Sequence, residues 1–360
     1  MKIGILTHHY VGNFGAVLQT DALVRVLKEN CGDAEIEVIN YKVLNHYFRS
    51  NSRFFHYKKE DTYLSYIRKL QLFKSFHEFR KSLPIGKPVK DAHDINKQNY
   101  SLIIVGSDEV WNYDDQAYSP IKFGVDIKCP HITYSASIGG SSISDSNIPQ
   151  AVKLGIPSFM DIAVRDKRTN ELVKKITHKD VIETLDPVYL YDYKLKVSEK
   201  ILKWVEKKPY ILIYDCKLTI TQVQLICSYA EKNEYNILGA GEYQRWYTTT
   251  DTINVTPYEW IYLFKNALGI ITGTFHGTSF AIKYNKPFAA YLTETNRANK
   301  VSSILSELGL ESRIVASEDN ILDVLMQNIN YSKVNYILNL KRQKSIGYLQ
   351  KNLNIIQGKE

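Results

Sequence analysis

Short apolar runs alternate with stretches of helical periodicity along most of the chain. Ile3 to Leu6 is an apolar run, followed by a loop through Asn13-Phe14-Gly15. Ala16, Leu18, Ala22, Leu23, Val26 and Leu27 then recur at helical spacing, Cys31-Gly32 stops the helix, and Glu35 to Ile39 predicts the next strand. Strand, helix, strand of this length is a βαβ unit and implies a parallel sheet. Further strands are predicted at Tyr100–Val105, His131–Ala136 and Ile162–Val164. Near 192–208 a Lys/Glu-rich helix precedes Pro209, and the alternation restarts. It gives strands at Tyr210–Tyr214, Asn236–Leu238, Leu268–Ile271 and Pro287–Tyr291. Helices are predicted at Thr221–Lys232, Tyr258–Asn266 and Thr278–Tyr284, with a loop at His276.

This rhythm predicts an α/β protein of two Rossmann-like domains, 1–195 and 196–360, facing each other across a cleft. The last helix, about Val334 to Leu353, is a candidate to cross back to the first domain. A length of 360 residues suits two cores. Residues 42–98 break the rhythm and read as an insert in the first domain, with a helix over Tyr63–Ser82.

Charge changes the picture in one place. The net charge is +8, but Lys42 to Lys90 alone holds twelve Lys/Arg against three Asp/Glu, and 42–98 holds ten Phe/Tyr. A local excess points to an anionic partner: a phosphate-bearing substrate, an anionic membrane surface or a nucleic acid. The plainer reading is a solvated helical face over an apolar core. His46, His56, His77 and His93 lie in this insert and read as solvated. The 26 tyrosines suit a protein that handles sugars or polar interfaces, or reflect compositional drift.

Four cysteines without a Cys-x-x-Cys pair read as reduced thiols of a cytosolic protein. The chain enters a strand at once, without a secretory pattern, and holds no apolar run of ~18–20 residues. These features predict a cytoplasmic protein. No His/Cys/Asp/Glu set has metal-ligand spacing, so no metal is expected.

In open parallel sheets, ligands bind beyond the carboxyl ends of the strands. Four motifs lie there. Asn13 to Gln19 places Gly15 at a helix start; a plain helix cap is the simpler reading, and the run lacks the glycine spacing of a dinucleotide loop. Gly106-Ser107-Asp108-Glu109-Val110-Trp111-Asn112 puts Asp108 where it can accept a proton from a sugar hydroxyl. Its Trp111 stacks on a sugar or belongs to the core. Val164-Arg165-Asp166 offers a guanidinium fork for phosphate or carboxylate, or a surface ion pair. Thr272 to Ser279 holds His276 among small residues at a strand end and helix start, which suits proton transfer near neutral pH and anion binding. His8 and His9 follow the first strand and rank second.

Taken in order, Asn13–Gln19, Gly106–Asn112, Val164–Asp166, Asp186-Pro187-Val188, Thr274–Pro287 and the tail Val301–Arg313 resemble the polysaccharide pyruvyl transferase family over roughly residues 1–315. The resemblance implies a fold similar to GT-B glycosyltransferases. It implies transfer of pyruvate from phosphoenolpyruvate, a co-substrate, to a sugar of a polysaccharide or lipid-linked glycan precursor, giving a ketal, with no further cofactor. On it, His276 is assigned proton transfer, Asp108 the acceptor hydroxyl and Arg165 the donor's anionic groups. Asn13, Gly15, Ser107, Thr274, Gly277, Thr278 and His9 are expected to line the substrates. The chain departs from the family at Thr274, where an arginine that helps bind the donor often stands; Arg297, Arg313 or Lys283 are expected to help instead.

Two other functions remain open at this point. A GT-B glycosyltransferase would take a nucleotide-sugar. A non-enzymatic protein would use the basic segment on nucleic acid, which the absence of nucleic-acid motifs disfavours. For 42–90, peripheral contact with the inner membrane face, beside a lipid-linked acceptor, is expected.

Overall fold

The structure is a computed structural model. It describes residues 1–293 and 295–358, and the side chains of all of these except 295–297 and 319. The chain divides into two compact units: Met1–Ser50 with Arg80–Asp192 and Leu338–Glu360, and Asn51–Phe79 with Tyr193–Ile337.

In the first unit, β1 (Lys2–Leu6), β2 (Glu35–Tyr41), β3 (Ile85–Val89), β4 (Leu102–Asp108), β5 (His131–Ala136), β6 (Ala163–Val164) and β7 (Ile182–Glu183) form a parallel sheet in the order β3-β2-β1-β4-β5-β6-β7. β5 is buried throughout and β4 almost so, as strands covered on both faces must be. β3 was not expected from the sequence. Its Gly86 and Pro88 mask any alternation, and Pro88 is tolerated because β3 is an edge strand. The helix Tyr331–Gln357 ends in this unit. There Ser345 Oγ accepts from Leu185 N–H at 2.9 Å, and Tyr348 donates to Thr133 O at 2.9 Å.

The second unit has β8 (Tyr210–Tyr214), β9 (Asn236–Gly239), β10 (Gly269–Thr272) and β11 (Phe288–Ala290), parallel in the order β11-β10-β8-β9. Trp260, Phe264 and Phe280 pack beside them, with ring centroids 4.0 and 5.1 Å from Trp260. Residues 51–79 belong here, whereas the sequence reading kept all of 42–98 in the first domain. Arg68 pairs with Asp251 at 2.7 Å, Asn254 donates to Gln71 at 2.9 Å and Ser75 to Val255 O at 3.4 Å. The basic excess is thus partly consumed inside the protein.

Each sheet changes direction once. Sequence order runs outward from the β1/β4 junction in the first unit and from the β8/β10 junction in the second. These junctions open the crevices where open α/β sheets hold ligands.

Candidate active site

At the first junction, Gly106 lets β4 pass so close to the Tyr134 backbone of β5 that no side chain would fit there. Asp108 ends β4 with φ of 72°, in the left-handed region. Its carboxylate stays one-fifth exposed and lies 3.7 Å from Arg165 Nη1. Arg165 is no surface fork. Its side chain is buried, and Nη1 lies 3.2 Å from Asp186 Oδ2, which is wholly buried. Ser107, fully buried, donates to the same oxygen at 3.1 Å. Arg165 and Ser107, expected to meet the substrates, both hold Asp186, and Arg165 also lies beside Asp108. Asp186 is also braced through Val188 N–H at 3.2 Å.

The first loop is braced in the same way. Asn13 is exposed and caps the helix Phe14–Asn30 by accepting from Ala16 N–H at 3.2 Å, the simpler of its two readings. Gly15 is buried in that helix's first turn instead of lying in a loop. Gln19 donates to Thr7 Oγ1 at 3.0 Å, and Thr7 donates to Ser107 O at 3.2 Å, tying β1's exit to β4's. His9 is buried, with Nδ1 3.2 Å from Thr7 O, and burial lowers its pKa to about 4. The lowered pKa favours the uncharged ring, and this side chain, expected to line the substrates, is almost wholly buried.

The sequence reading missed the most unusual group here. Lys122 is buried, with Nζ 2.8 Å from His8 Nε2 and 2.6 Å from Ala117 O. Burial lowers its pKa from 10.5 to about 7, against the opposing pull of Asp115 and Asp108. Burial and then Lys122 hold His8 well below the usual histidine range. His46, expected to be solvated, lies 5.2 Å ring to ring from His8 and 3.1 Å from Tyr10 Oη through Nδ1; burial lowers its pKa too. Trp111 is wholly buried and holds this turn, donating through Nε1 to Lys122 O at 2.7 Å and stacking on Phe123. It is core, not a sugar platform. Asp108, His46 and Asp115 reach solvent, with Lys122 and His8 beneath them.

Lys122 makes a prediction. Its folded pKa is depressed, so between about pH 7 and 10.5 the unfolded chain binds more protons and wild-type stability rises with pH. Lys122→Met removes that dependence. Urea unfolding should show wild type gaining on the variant by ~1 kcal/mol per pH unit from pH 7 to 9. A difference that ignores pH would contradict the assignment.

At the second junction, β10 runs into Gly273, and Thr274 caps the helix Phe275–Lys283 by accepting from Gly277 N–H at 3.0 Å. The expected loop is therefore the first turn of a helix, and His276 stands on it, half-buried. Gly277 reads as a breaker in sequence, yet only glycine fits, since a Cβ would run into the Thr272 hydroxyl. Its N–H, expected to line the substrates, is engaged in the cap. Thr278 is wholly buried and its hydroxyl lacks a hydrogen-bond partner among the described residues.

Two of the expected helper cations have partners of their own. Lys283 sits at the far end of the same helix, ~10 Å along it, with Nζ 5.9 Å from the Tyr193 ring centroid. Arg313 is buried and both its Nη groups bond Gln327. The Arg297 side chain lies outside the described residues. A carboxyl does gather near this junction. Glu242, just beyond β9, accepts from Asp215 N–H at 3.0 Å and Tyr247 Oη at 3.1 Å. Burial, then the nearby Asp215, raise its pKa to about 7, the range of a general acid at neutral pH. The strand-end rule that singled out Asp108 applies equally to Glu242.

The fold is of the GT-B type. It is similar to the UDP-GlcNAc 2-epimerase from Neisseria meningitidis bound to UDP-GlcNAc, at 11% identity over 100% of both chains with a TM-score of 0.52. It is also similar to Staphylococcus aureus MnaA in its UDP co-structure, at 12% identity over 99% of this chain and 98% of that one, TM-score 0.52. Medicago truncatula UGT71G1 complexed with UDP-glucose gives 10% identity over 98% of each chain, TM-score 0.50. No curated protein matches the sequence. The profile of polysaccharide pyruvyl transferases matches residues 13–294, which takes in Asp108, Lys122, Arg165, Glu242 and His276, and the chain belongs to that family.

Proposed function

We propose that this protein transfers the pyruvyl group of phosphoenolpyruvate to a glycan precursor and closes a ketal across two sugar hydroxyls. The family match over residues 13–294 carries this reading. A proton is added at C3 of the enol, an acceptor hydroxyl adds at C2 and loses its proton, and phosphate leaves with its bridging oxygen. The second hydroxyl then bonds C2 and loses its proton. Donor and diol become ketal and inorganic phosphate.

His276, on the first turn of its helix, is assigned proton transfer, with Glu242 as the carboxyl that retains a proton near pH 7. Asp108, one-fifth exposed and framed by Arg165, is assigned the acceptor hydroxyl. The positive end of the helix Phe275–Lys283 suits an anionic donor. No cofactor takes part, and the reaction belongs to the cytoplasm, on a lipid-linked acceptor at the inner membrane face.

A nucleotide-sugar donor is the second reading, because the structures of similar fold hold UDP or UDP-sugars. Phosphate release from phosphoenolpyruvate in the presence of lipid-linked and free glycans separates the two. Acceptor-dependent phosphate release, with no saturable UDP-sugar binding, is expected. The opposite pair of results would make the protein a glycosyltransferase.

A further inference from the structure

Residues 53–64 form a turn of the second unit that presents large apolar side chains outward. Phe55 is 53% exposed, Tyr57 59%, Tyr63 79% and Leu64 51%. Scattered exposed hydrophobics need no explanation, but four within ten residues form a patch. The turn is not loose. Phe54 anchors it, buried against Phe73 and Phe76 with ring centroids at 5.7 and 5.8 Å. Asp61 folds inward, accepting from Lys58 N–H at 2.8 Å and pairing with Lys69. Tyr57 donates to Asp61 O at 2.9 Å, and Arg245 donates to Lys59 O at 3.0 Å.

The inward turn of Asp61 has an electrostatic consequence. One local carboxylate is neutralised by Lys69, while Lys58 and Lys59 are exposed beside Glu60. The outer surface therefore combines aromatic rings, a leucine and an excess of cations.

We propose that this turn is a bilayer-contact site. Phe55, Tyr57, Tyr63 and Leu64 would enter the headgroup region, and Lys58 and Lys59 would meet anionic lipid. Amphipathic rings prefer the interface, and basic residues beside them add attraction to negative headgroups. Nucleic acid fits less well. Bases stack on rings, and a half-exposed leucine gives them no platform. A purely apolar protein partner would leave the cations unanswered. The proposal goes beyond the pyruvyl-transfer reading, and lipid binding is measured without donor or acceptor, so either can fail alone.

The test is sedimentation of the full chain with phosphatidylcholine vesicles, with and without phosphatidylglycerol. Two variants are compared: Phe55→Ser/Tyr63→Ser/Leu64→Ser and Lys58→Glu/Lys59→Glu. Wild type should bind the anionic vesicles at least tenfold more tightly than the neutral ones and weaken with salt. Each variant should lose at least tenfold in affinity while unfolding thermally as wild type does, because the changed side chains are exposed. Equal binding to both vesicles, no binding, or wild-type binding by the triple variant would overturn the proposal. So would binding of a single-stranded oligonucleotide that outcompetes the vesicles.

Discussion

His276→Ala lowers acceptor-dependent phosphate release from phosphoenolpyruvate by ~10²–10⁴-fold in kcat/KM, the usual worth of a positioned proton-transfer group. The expectation rests on how the residue is mounted. Thr274 caps the helix, Gly277 allows the tight turn beneath, and the imidazole stands at the helix start where β10 ends. None of these supports is the histidine itself, which is half-buried, so its loss should leave stability within ~1 kcal/mol. His276→Gln separates two roles. The amide can donate a hydrogen bond but cannot relay a proton near neutral pH. If the glutamine variant recovers most of the rate, His276 is an anion-binding donor, and proton transfer passes to another group, with Glu242 the first to test.

Arg165→Met should be the most destabilising single change, by ~3–5 kcal/mol in urea unfolding. Asp186 is wholly buried and Arg165 is its cation at 3.2 Å; removal takes that counter-charge away and keeps the hydrogen bonds from Ser107 and Val188. Adding Asp186→Asn to the variant should restore at least ~1 kcal/mol, because an amide needs no counter-charge. The folded fraction should also be slow, since Arg165 frames Asp108. An Arg165→Met variant as stable as wild type, with a raised KM for the donor alone, would return Arg165 to the substrate-binding role its sequence suggests.

The buried pairing of Arg165 with Asp186 is a feature that local sequence does not show. His276 is legible because a strand end, small residues and a helix start are all local. Asp108 is legible for the same reason. The helix Tyr63–Lys81 follows its periodicity almost to the residue. Lys122 is not legible. It lies on the short turn Pro120–Phe123, and its burial depends on His8, 114 positions earlier in the chain. Arg165 and Asp186 form the same kind of long-range pair, so Val164-Arg165-Asp166 alone cannot distinguish a ligand fork from a buried bridge. The placement of residues 51–79 in the second unit likewise rests on partners near residue 250. Thr274 is a middle case. Its departure from the family's arginine is visible in sequence, but its use as a helix cap, which a guanidinium could not supply, is visible only in the structure.

Transfer of a pyruvyl group from phosphoenolpyruvate to a glycan is the reaction on which the proposed residue roles depend. Mass spectrometry of the host's lipid-linked glycans, incubated with phosphoenolpyruvate and the protein in heavy water, tests it most directly. The expected product is a glycan heavier by one pyruvate less one water, with solvent deuterium in its methyl group and phosphate released in equal amount. Phosphate released while every glycan keeps its mass, or a glycan that gains a sugar when a UDP-sugar is supplied instead, would contradict it.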